Sequence, residues 1–158
     1  MKKKILHPKN ECYHLLDKYK STVEEKRNEN KGNLLETIIQ TQKKFQEDKF
    51  GIKFNSNDMK ARVAYIREHS HNLQMELDEL LDSLPFKSWK DYTKKETRWS
   101  LFRDEYSEEE WLEIQYEWVD ALHFLVNIGC MLEIDANRAF ELYVSKNGEN
   151  YDRQKRRY

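Results

Sequence analysis

Glycine and proline are scarce in this sequence, at four and two of 158 residues. All-β folds with many tight turns depend on both, so that class of fold is disfavoured. The two cysteines, Cys12 and Cys130, are too few for a disulfide framework or a cysteine-based metal site. No apolar stretch approaches the length of a membrane span, and none follows the basic start of the chain as in a secretory signal. We therefore expect a protein of the reducing cytoplasm with no membrane partner.

A net charge of one sign is also lacking. The 28 Lys and Arg residues nearly balance the 29 Asp and Glu residues, so no global field attracts nucleic acid, and we expect no nucleic-acid partner. The length fits one domain over residues 1–158. Aromatic residues make up 13% of the chain and can bury large areas of a core.

What is present is helical periodicity along most of the chain. Helices are predicted over residues 10–28, 34–48, 58–84 and 108–132, and from residue 136 onward. Their predicted N-caps are Asn33, Asp58, Ser107 (in a capping box with Glu110) and Asp135. The sequence thus predicts an all-α fold, with an N-terminal extension over 1–31 and a basic C-terminal tail over 144–158.

The apolar residues of three helices suggest which faces are buried. The predicted inner residues are Leu34, Leu35, Ile38, Ile39 and Phe45 in the second helix, Leu73, Leu77, Leu80, Leu81 and Leu84 in the third, and Val119, Leu122, Leu125 and Val126 in the fourth. Gln42 falls on or beside the first of these stripes. His69 and His71 are two apart and share no face, so we expect both to be surface residues.

Two acidic pairs stand out against these apolar helices. Glu76 and Glu79 form one pair, and Glu117 and Asp120 form the other, each at i, i+3 on one helix face. Like charges at this spacing repel, and carboxylates beside a core are costly unless they are paired or bind a metal. Two facing pairs would offer four hard oxygen ligands suited to Mg²⁺ or Mn²⁺. The alternative is that both pairs are solvated, as acidic residues usually are.

Other polar residues allow two interpretations each. Gln42 is either an amphipathic edge residue or an amide that reads the hydrogen-bonding edge of a ligand. The interleaved aromatic and basic residues around Trp89 and Lys90 either seal the core, or provide a wall for a flat base and a cation for a phosphate.

Several motifs together resemble a known superfamily, the all-α nucleoside triphosphate pyrophosphohydrolases. The two acidic pairs are similar to its ExxE…ExxD signature. The stretch Asp120-Ala-Leu-His123-Phe124 resembles the D-x-x-H-F of the dimeric dUTPases, and Phe86-Lys-Ser-Trp89-Lys90 resembles their aromatic-Lys-x-Trp-Lys segment. Tyr143-x-x-Lys146-Asn147-x-x-Asn150-x-x-Arg153-Gln154 is similar to their C-terminal motif. The C-terminal part of the chain resembles most the phage branch that hydrolyses both dCTP and dUTP.

This resemblance implies a helical bundle with a four-helix core and a role for each matched residue. It implies Mg²⁺, with Mn²⁺ as an alternative, at Glu76, Glu79, Glu117 and Asp120, the first two also being catalytic. It implies a base and sugar site that includes Gln42, Trp89, His123 and Asn127. The remaining implied substrate-binding residues are Lys90, Tyr143, Lys146, Asn147, Asn150, Arg153 and Tyr158.

The resemblance further implies hydrolysis of dUTP, dCTP or both to the monophosphate and pyrophosphate by a homodimer, in the host cytoplasm if the source is a phage. The basic tail is expected to be mobile alone, because its cations repel, and to order over the phosphates. Two alternatives stay open: a non-catalytic helical interaction module, and a MazG-like pyrophosphatase for another nucleotide.

Overall fold

The computed structural model describes residues 15–29, 33–84 and 106–156, and these ranges contain six α-helices and no strand. The helices are α1 (Leu15–Lys18), α2 (Lys20–Glu29), α3 (Leu34–Phe50), α4 (Met59–Asp82), α5 (Glu108–Met131) and α6 (Ala136–Lys155). The predicted all-α helical bundle class is confirmed. None of the described helices is both long and apolar enough to cross a membrane.

Side-chain caps fix where the four long helices begin. Each predicted cap accepts a hydrogen bond from the backbone N–H three residues later: Asn33, Asp58, Ser107 and Asp135. Glu110 completes a capping box, because its carboxylate accepts a bond from the backbone N–H of Ser107 at 2.7 Å. These starts follow from local sequence alone.

The ends of α3 and α5 use left-handed backbone conformations. Gly51 ends α3 at φ 64°, a conformation that glycine adopts without a steric penalty. After the end of α5, Glu133 also has a left-handed backbone, with φ at 61°. Arg62 supports this turn, because its guanidinium donates to the carbonyl of Met131 and lies 2.8 Å from the Glu133 carboxylate.

The chain divides into two compact units, Met1–Glu24 with Arg67–Leu125 and Glu25–Ile66 with Val126–Tyr158. The first unit includes most of α4 and of α5, and the second includes the first eight residues of α4 and the last six of α5. Buried residues of the first unit include His69, Ser83, Ile114 and Ala121. Those of the second include Ile39, Gln46, Phe54, Tyr65, Val126, Asn127, Cys130, Met131 and Ala136.

Several residues predicted to be inside are exposed, and this part of the sequence prediction was wrong. The exposed ones are Leu34, Leu35, Ile38 and Phe45 in α3, Leu77 and Leu81 in α4, and Leu125 in α5. In α3 the buried residues are Ile39, which was predicted to be inside, and Gln46, which was not. These helices carry apolar residues on more than one side, so periodicity alone does not reveal which side is inside the monomer.

The predicted tail is helical as far as it is described. Helix α6 runs through to Lys155, although repulsion among the tail cations had predicted a mobile segment. Acidic residues one or two turns away explain the difference. The Glu149 carboxylate lies 3.1 Å from Nε of Arg153 and 2.7 Å from Nη2 of Arg156. Such pairs stabilise an exposed helix modestly.

Candidate active site

Three carboxylates come together in the first unit. Glu76 and Glu79 project from α4 and Glu117 from α5, and each offers an oxygen within 4.8 Å of the other two. All three residues are half-buried. The i, i+3 spacing places the two α4 carboxylates on one side of that helix, as the sequence predicted.

This environment opposes ionisation of Glu76. Its burial raises the pKa of the carboxyl above the ordinary value, and the negative charges of Glu79 and Asp120 raise it further. His123 has a weaker, opposite effect on the same pKa. The cluster therefore holds negative charge at a cost, which a bound cation would remove.

Asp120 lies beside the group of three rather than within it. Its Oδ1 is 3.6 Å from Nδ1 of His123, one turn later on α5. Both side chains are about half exposed, at 41% for Asp120 and 52% for His123. Asp120 is nevertheless close enough for its charge to raise the pKa of Glu76.

The donor set fits a hard divalent cation. The ligands on offer are carboxylate oxygens, which suit Mg²⁺ and Mn²⁺, rather than the thiolates and multiple imidazoles that favour zinc. Glu76, Glu79 and Glu117 are placed to hold such an ion, and Asp120 is the nearest further carboxylate. An acidic cluster that can bind a metal is thus present, as predicted.

Two amide–polar pairs lie in the second unit. The Gln42 amide nitrogen donates a hydrogen bond to Oδ1 of Asn127 at 3.0 Å, and Asn127 is 1% exposed. One turn after Gln42 on α3, Gln46 accepts a bond from the Tyr65 hydroxyl at 3.3 Å. Tyr65 is itself held by an edge-to-face contact with Phe54, with ring centroids 5.9 Å apart. Gln42 and Asn127, which the sequence assigned to one base site, are therefore in direct contact.

The predicted substrate-binding residues of α6 share one side of that helix. They are Tyr143, Lys146, Asn147, Asn150 and Arg153, and all five are exposed. Their intervals of three, one, three and three residues place them on a single face of the helix. Three predicted site residues, Trp89, Lys90 and Tyr158, lie outside the described residues.

Sequence reasoning overlooked Tyr65 and misassigned His69. Both are buried, at 9% and 7% exposure, and the expected surface position of His69 was wrong. The His69 ring lies 5.6 Å from that of Phe124, and burial lowers the pKa of its imidazole. The signal was present in the sequence: Tyr65, His69 and Leu73 are spaced by four, so they continue the inner line of α4 towards its start.

Comparisons with known proteins give a consistent result. The family model described as dUTPase matches residues 30–141, more than half of the chain. A dCTP pyrophosphatase of Enterobacteria phage T4 is 35% identical over 106 residues, which cover 61% of this chain and 62% of the relative. A dCTP pyrophosphatase of Enterobacteria phage LZ5 is 32% identical over the same length and coverage. The match thus spans about 62% of the length of these curated relatives. No solved structure matches the chain significantly.

Proposed function

The chain belongs to the dUTPase family, and we propose that it hydrolyses pyrimidine deoxynucleoside triphosphates, dUTP, dCTP or both, to the monophosphate and pyrophosphate. The family description supplies uracil as one base, and the names of the phage relatives supply cytosine as the other. Such a reaction would serve control of the nucleotide pool, in the cytoplasm where that pool resides.

The observation that carries this proposal is the convergence of three carboxylates from two helices. Glu76, Glu79 and Glu117 lie within 4.8 Å of one another and are half-buried, and the pKa of Glu76 is raised by this crowding. Like charges this close repel one another, and a cation bound between them would remove that repulsion. The arrangement is the one expected of residues that hold a divalent cation, here Mg²⁺ or, alternatively, Mn²⁺.

A bound Mg²⁺ would neutralise the triphosphate and stabilise the leaving pyrophosphate. The chain's own carboxylates have a second task in this proposal. Glu76 and Glu79 orient the attacking water, and one of their oxygens takes its proton. Asp120 keeps the adjacent His123 oriented through the 3.6 Å contact with its Nδ1. No covalent intermediate is needed, because water attacks phosphorus directly.

Phosphate recognition is assigned to the exposed face of α6. Lys146 and Arg153 supply positive charge to the phosphate oxygens, and charge-assisted hydrogen bonds of this type are stronger than neutral ones. Lys90, Asn150 and Tyr158 are also assigned to phosphate contacts, and Tyr143 and Asn147 are further substrate-binding residues. Residues assigned to the base and sugar are Gln42, Trp89, His123 and Asn127. The hydrogen bond between Gln42 and Asn127 supports this grouping for those two.

A panel of deoxynucleoside triphosphates tests the function directly. The purified protein is incubated with Mg²⁺ and each of the four common triphosphates and dUTP, and pyrophosphate is measured, with EDTA as the control. We expect release from dUTP or dCTP that EDTA abolishes. Turnover of a purine triphosphate alone would favour a MazG-like enzyme for another nucleotide. Absence of turnover with every substrate would favour a non-catalytic helical module.

We also propose that the chain acts as a homodimer. Large apolar side chains remain exposed on the described helices, among them Leu77, Leu81, Trp118 and Leu125 in the first unit, at 42% to 57% exposure. A second copy would cover such residues, and symmetric dimers are the commonest oligomers of soluble proteins. Sedimentation at micromolar concentration should give a dimer, and Leu77→Glu should weaken it, whereas Asp78→Asn should not. A wild-type chain that sediments as a monomer near 19.3 kDa would refute the dimer.

A further inference from the structure

The first described residues form a helical arm that precedes the region matched by the family model. Helices α1 and α2 continue through Tyr19: the backbone N–H of Tyr19 donates to the carbonyl of Leu15, and that of Val23 donates to the carbonyl of Tyr19, each at 3.0 Å. Residues 15–29, here called the N-terminal arm, thus form one continuous helix. The family match starts at residue 30, so membership of the family does not account for the arm.

One side of the N-terminal arm is apolar and exposed. Leu16, Tyr19 and Val23 follow one another at steps of three and four residues, which places them along one line of the helix. Their exposures are 54%, 46% and 45%. A helix of about 15 residues is only marginally stable in water unless its apolar side packs against another surface. The arm therefore needs a partner surface that the single chain does not supply.

Helix α6 carries a second exposed apolar line, here called the outer line. It consists of Phe140, Val144 and Tyr151, at steps of four and seven residues, and these are 66%, 51% and 66% exposed. Lys146 and Arg153, which are assigned to phosphate, lie on a different side of α6. The outer line is thus available to a partner without covering these two cations.

The two apolar lines match when the helices run antiparallel. We set Val23 opposite Val144. Leu16 then falls opposite Tyr151, because each lies seven residues from its valine and the two helices run in opposite directions. Apolar side chains therefore meet at both ends of the contact.

The middle of this alignment pairs a large side chain with an absent one. Tyr19 lies four residues before Val23, so it falls opposite Gly148, four residues after Val144. A Cβ added at Gly148 would meet no other heavy atom of the described chain within 4 Å. Glycine weakens a helix interior, and no close neighbour within the described residues requires one here. Gly148 instead leaves room for the Tyr19 ring of another chain.

The borders of the two apolar lines carry opposite charges. Lys20 and Arg27 lie on one border of the arm's line, and Glu141 and Asp152 lie on one border of the outer line. In both helices the charged border has the same rotational sense, so antiparallel packing sets the two borders together and brings Arg27 beside Glu141. Lys155 also borders the outer line, but it is at the far end and lies 3.6 Å from Asp152.

This charge pattern selects α6, rather than a second arm, as the surface that the arm covers. In an antiparallel pair of arms, the border with Lys20 and Arg27 would meet the same border of the other arm. In a parallel pair it would meet the border with Lys26, which is also cationic, and like charges repel. The acidic residues of the arm do not offset this, because they lie on the far side of the helix: Asp17, Glu24 and Glu25.

We propose that the N-terminal arm of one copy packs antiparallel on the outer line of α6 of a second copy, with Val23 against Val144 of the partner subunit. The contact uses other residues than the exposed apolar side chains of the first unit that are assigned to the dimer above. It braces the helix that carries Lys146 and Arg153 from a side that phosphate does not use. The inference goes beyond the proposed function and does not depend on turnover.

Cysteine cross-linking between two distinguishable copies tests the contact. One copy carries Val23→Cys and the other Val144→Cys, both with Cys12→Ser, and the two are co-expressed with different tags. Mild oxidation should link the two kinds of chain, because facing positions of packed helices bring their Cβ atoms close enough for a disulfide. Val23→Cys with Tyr151→Cys is the register control and should not link, since Tyr151 lies about 10 Å along α6 from Val144.

Three cross-linking results would overturn the inference. Linking of Val23→Cys chains to one another would show that two arms pair. No link between Val23→Cys and Val144→Cys chains would show that the arm does not reach the outer line of a second copy. An equal yield in the register control would show that the contact has no defined alignment.

Sedimentation gives a second readout. Val23→Glu should weaken self-association at least about tenfold, because it replaces an apolar contact with a charge. Asn28→Glu adds the same charge on the opposite side of the arm, where the side chain is exposed, and should leave association unchanged. Arg27→Glu should weaken association up to about fivefold, and adding Glu141→Arg should restore it. Equal association of wild type and Val23→Glu would contradict the inference. Neither readout uses turnover, so a chain that cross-links as expected but hydrolyses no triphosphate would count against the proposed function alone.

Discussion

Gln42 donates a hydrogen bond to Asn127 across 85 positions of sequence, at 3.0 Å, and Asn127 is 1% exposed. The bond ties α3 to the second half of α5 through two polar side chains. Because Asn127 is buried, loss of its donor would leave the Asn127 oxygen with one partner fewer in a place that water reaches poorly.

Gln42→Ala should therefore lower the free energy of unfolding by about 1–3 kcal/mol, measured by urea titration. The matched control is Gln40→Ala, on the same helix, where the amide makes an exposed bond to Glu36 at 2.7 Å. The free energy of unfolding of Gln40→Ala should stay within about 0.5 kcal/mol of the wild-type value. Equal effects of the two substitutions would show that the buried bond does not contribute.

His69 should make stability depend on pH. Burial lowers the pKa of its imidazole below the ordinary 6.5, and the charge of Glu68 only partly opposes this. The unfolded chain then takes up a proton near pH 6.5 that the folded chain takes up only at lower pH. The contribution of the neutral His69 to the free energy of unfolding is therefore complete above pH 6.5. It is lost as the pH falls from 6.5 to the folded-state pKa, and it does not change further below that pKa.

In wild type, His69 should cause part of the decline in the free energy of unfolding between pH 7.5 and pH 5.5, a range of about two units centred on the ordinary pKa. His69→Gln should remove that part. His71→Gln, at an exposed position of the same helix, should keep it. Urea titrations at several pH values give both curves. A decline of the same size in His69→Gln would contradict the assignment.

Glu133 carries a backbone penalty that glycine would relieve. A residue with a side chain at φ 61° costs about 1–2 kcal/mol relative to the common helical region. Its ion pair with Arg62 returns only about 0–1 kcal/mol, because the Glu133 side chain is 70% exposed. Glu133→Gly should raise the thermal midpoint, and Glu133→Ala, which keeps the penalty and loses the pair, should lower it. A higher thermal midpoint for Glu133→Ala than for Glu133→Gly would show that the left-handed backbone of Glu133 does not lower stability.

Arg153 should contribute to triphosphate binding but not to metal binding. Arg153→Ala should raise the KM for dUTP roughly 10-fold or more, since a hydrogen bond to a charged group contributes about 1.5–3 kcal/mol. Arg138→Ala, which removes an exposed arginine from the start of the same helix, is the control and should leave KM unchanged. Truncation after Gly148 should act in the same direction as Arg153→Ala. A normal KM in both Arg153→Ala and the truncated chain would mean that this end of α6 is solvated only.

Helix starts could be predicted from the sequence because they depend on contacts between residues three apart. Asn33, Asp58, Ser107 and Asp135 all cap as expected. The pairing of Glu76 with Glu79 was predictable for the same reason, since their i, i+3 spacing places them together without knowledge of the fold, whereas the approach of Glu117 depends on how α5 packs. Asp120 was predicted as an equal fourth member, and its observed contact with His123 depends on side-chain orientation that spacing does not give.

Burial was harder to predict because it depends on what packs against each helix. Leu77 and Leu81 continue an apolar pattern and are exposed, whereas His69 is polar and is buried. The helical tail was missed because only the repulsion among its cations was considered. Glu149 pairs with both Arg153 and Arg156, and helical geometry brings these residues within reach of one another.

Pyrophosphate release by variants of the three carboxylates tests the central claim most directly. Glu76→Gln, Glu79→Gln and Glu117→Gln should each lower kcat/KM for the preferred pyrimidine triphosphate by about 100-fold or more, because a metal contributes several kcal/mol to such a reaction. Melting without metal should be unchanged or higher, since each change removes repulsion between like charges. Asp78→Asn, an exposed carboxylate between two of these residues on α4, should retain wild-type turnover. Wild-type turnover in any of the three variants, or an equal loss in Asp78→Asn, would contradict the metal site proposed here.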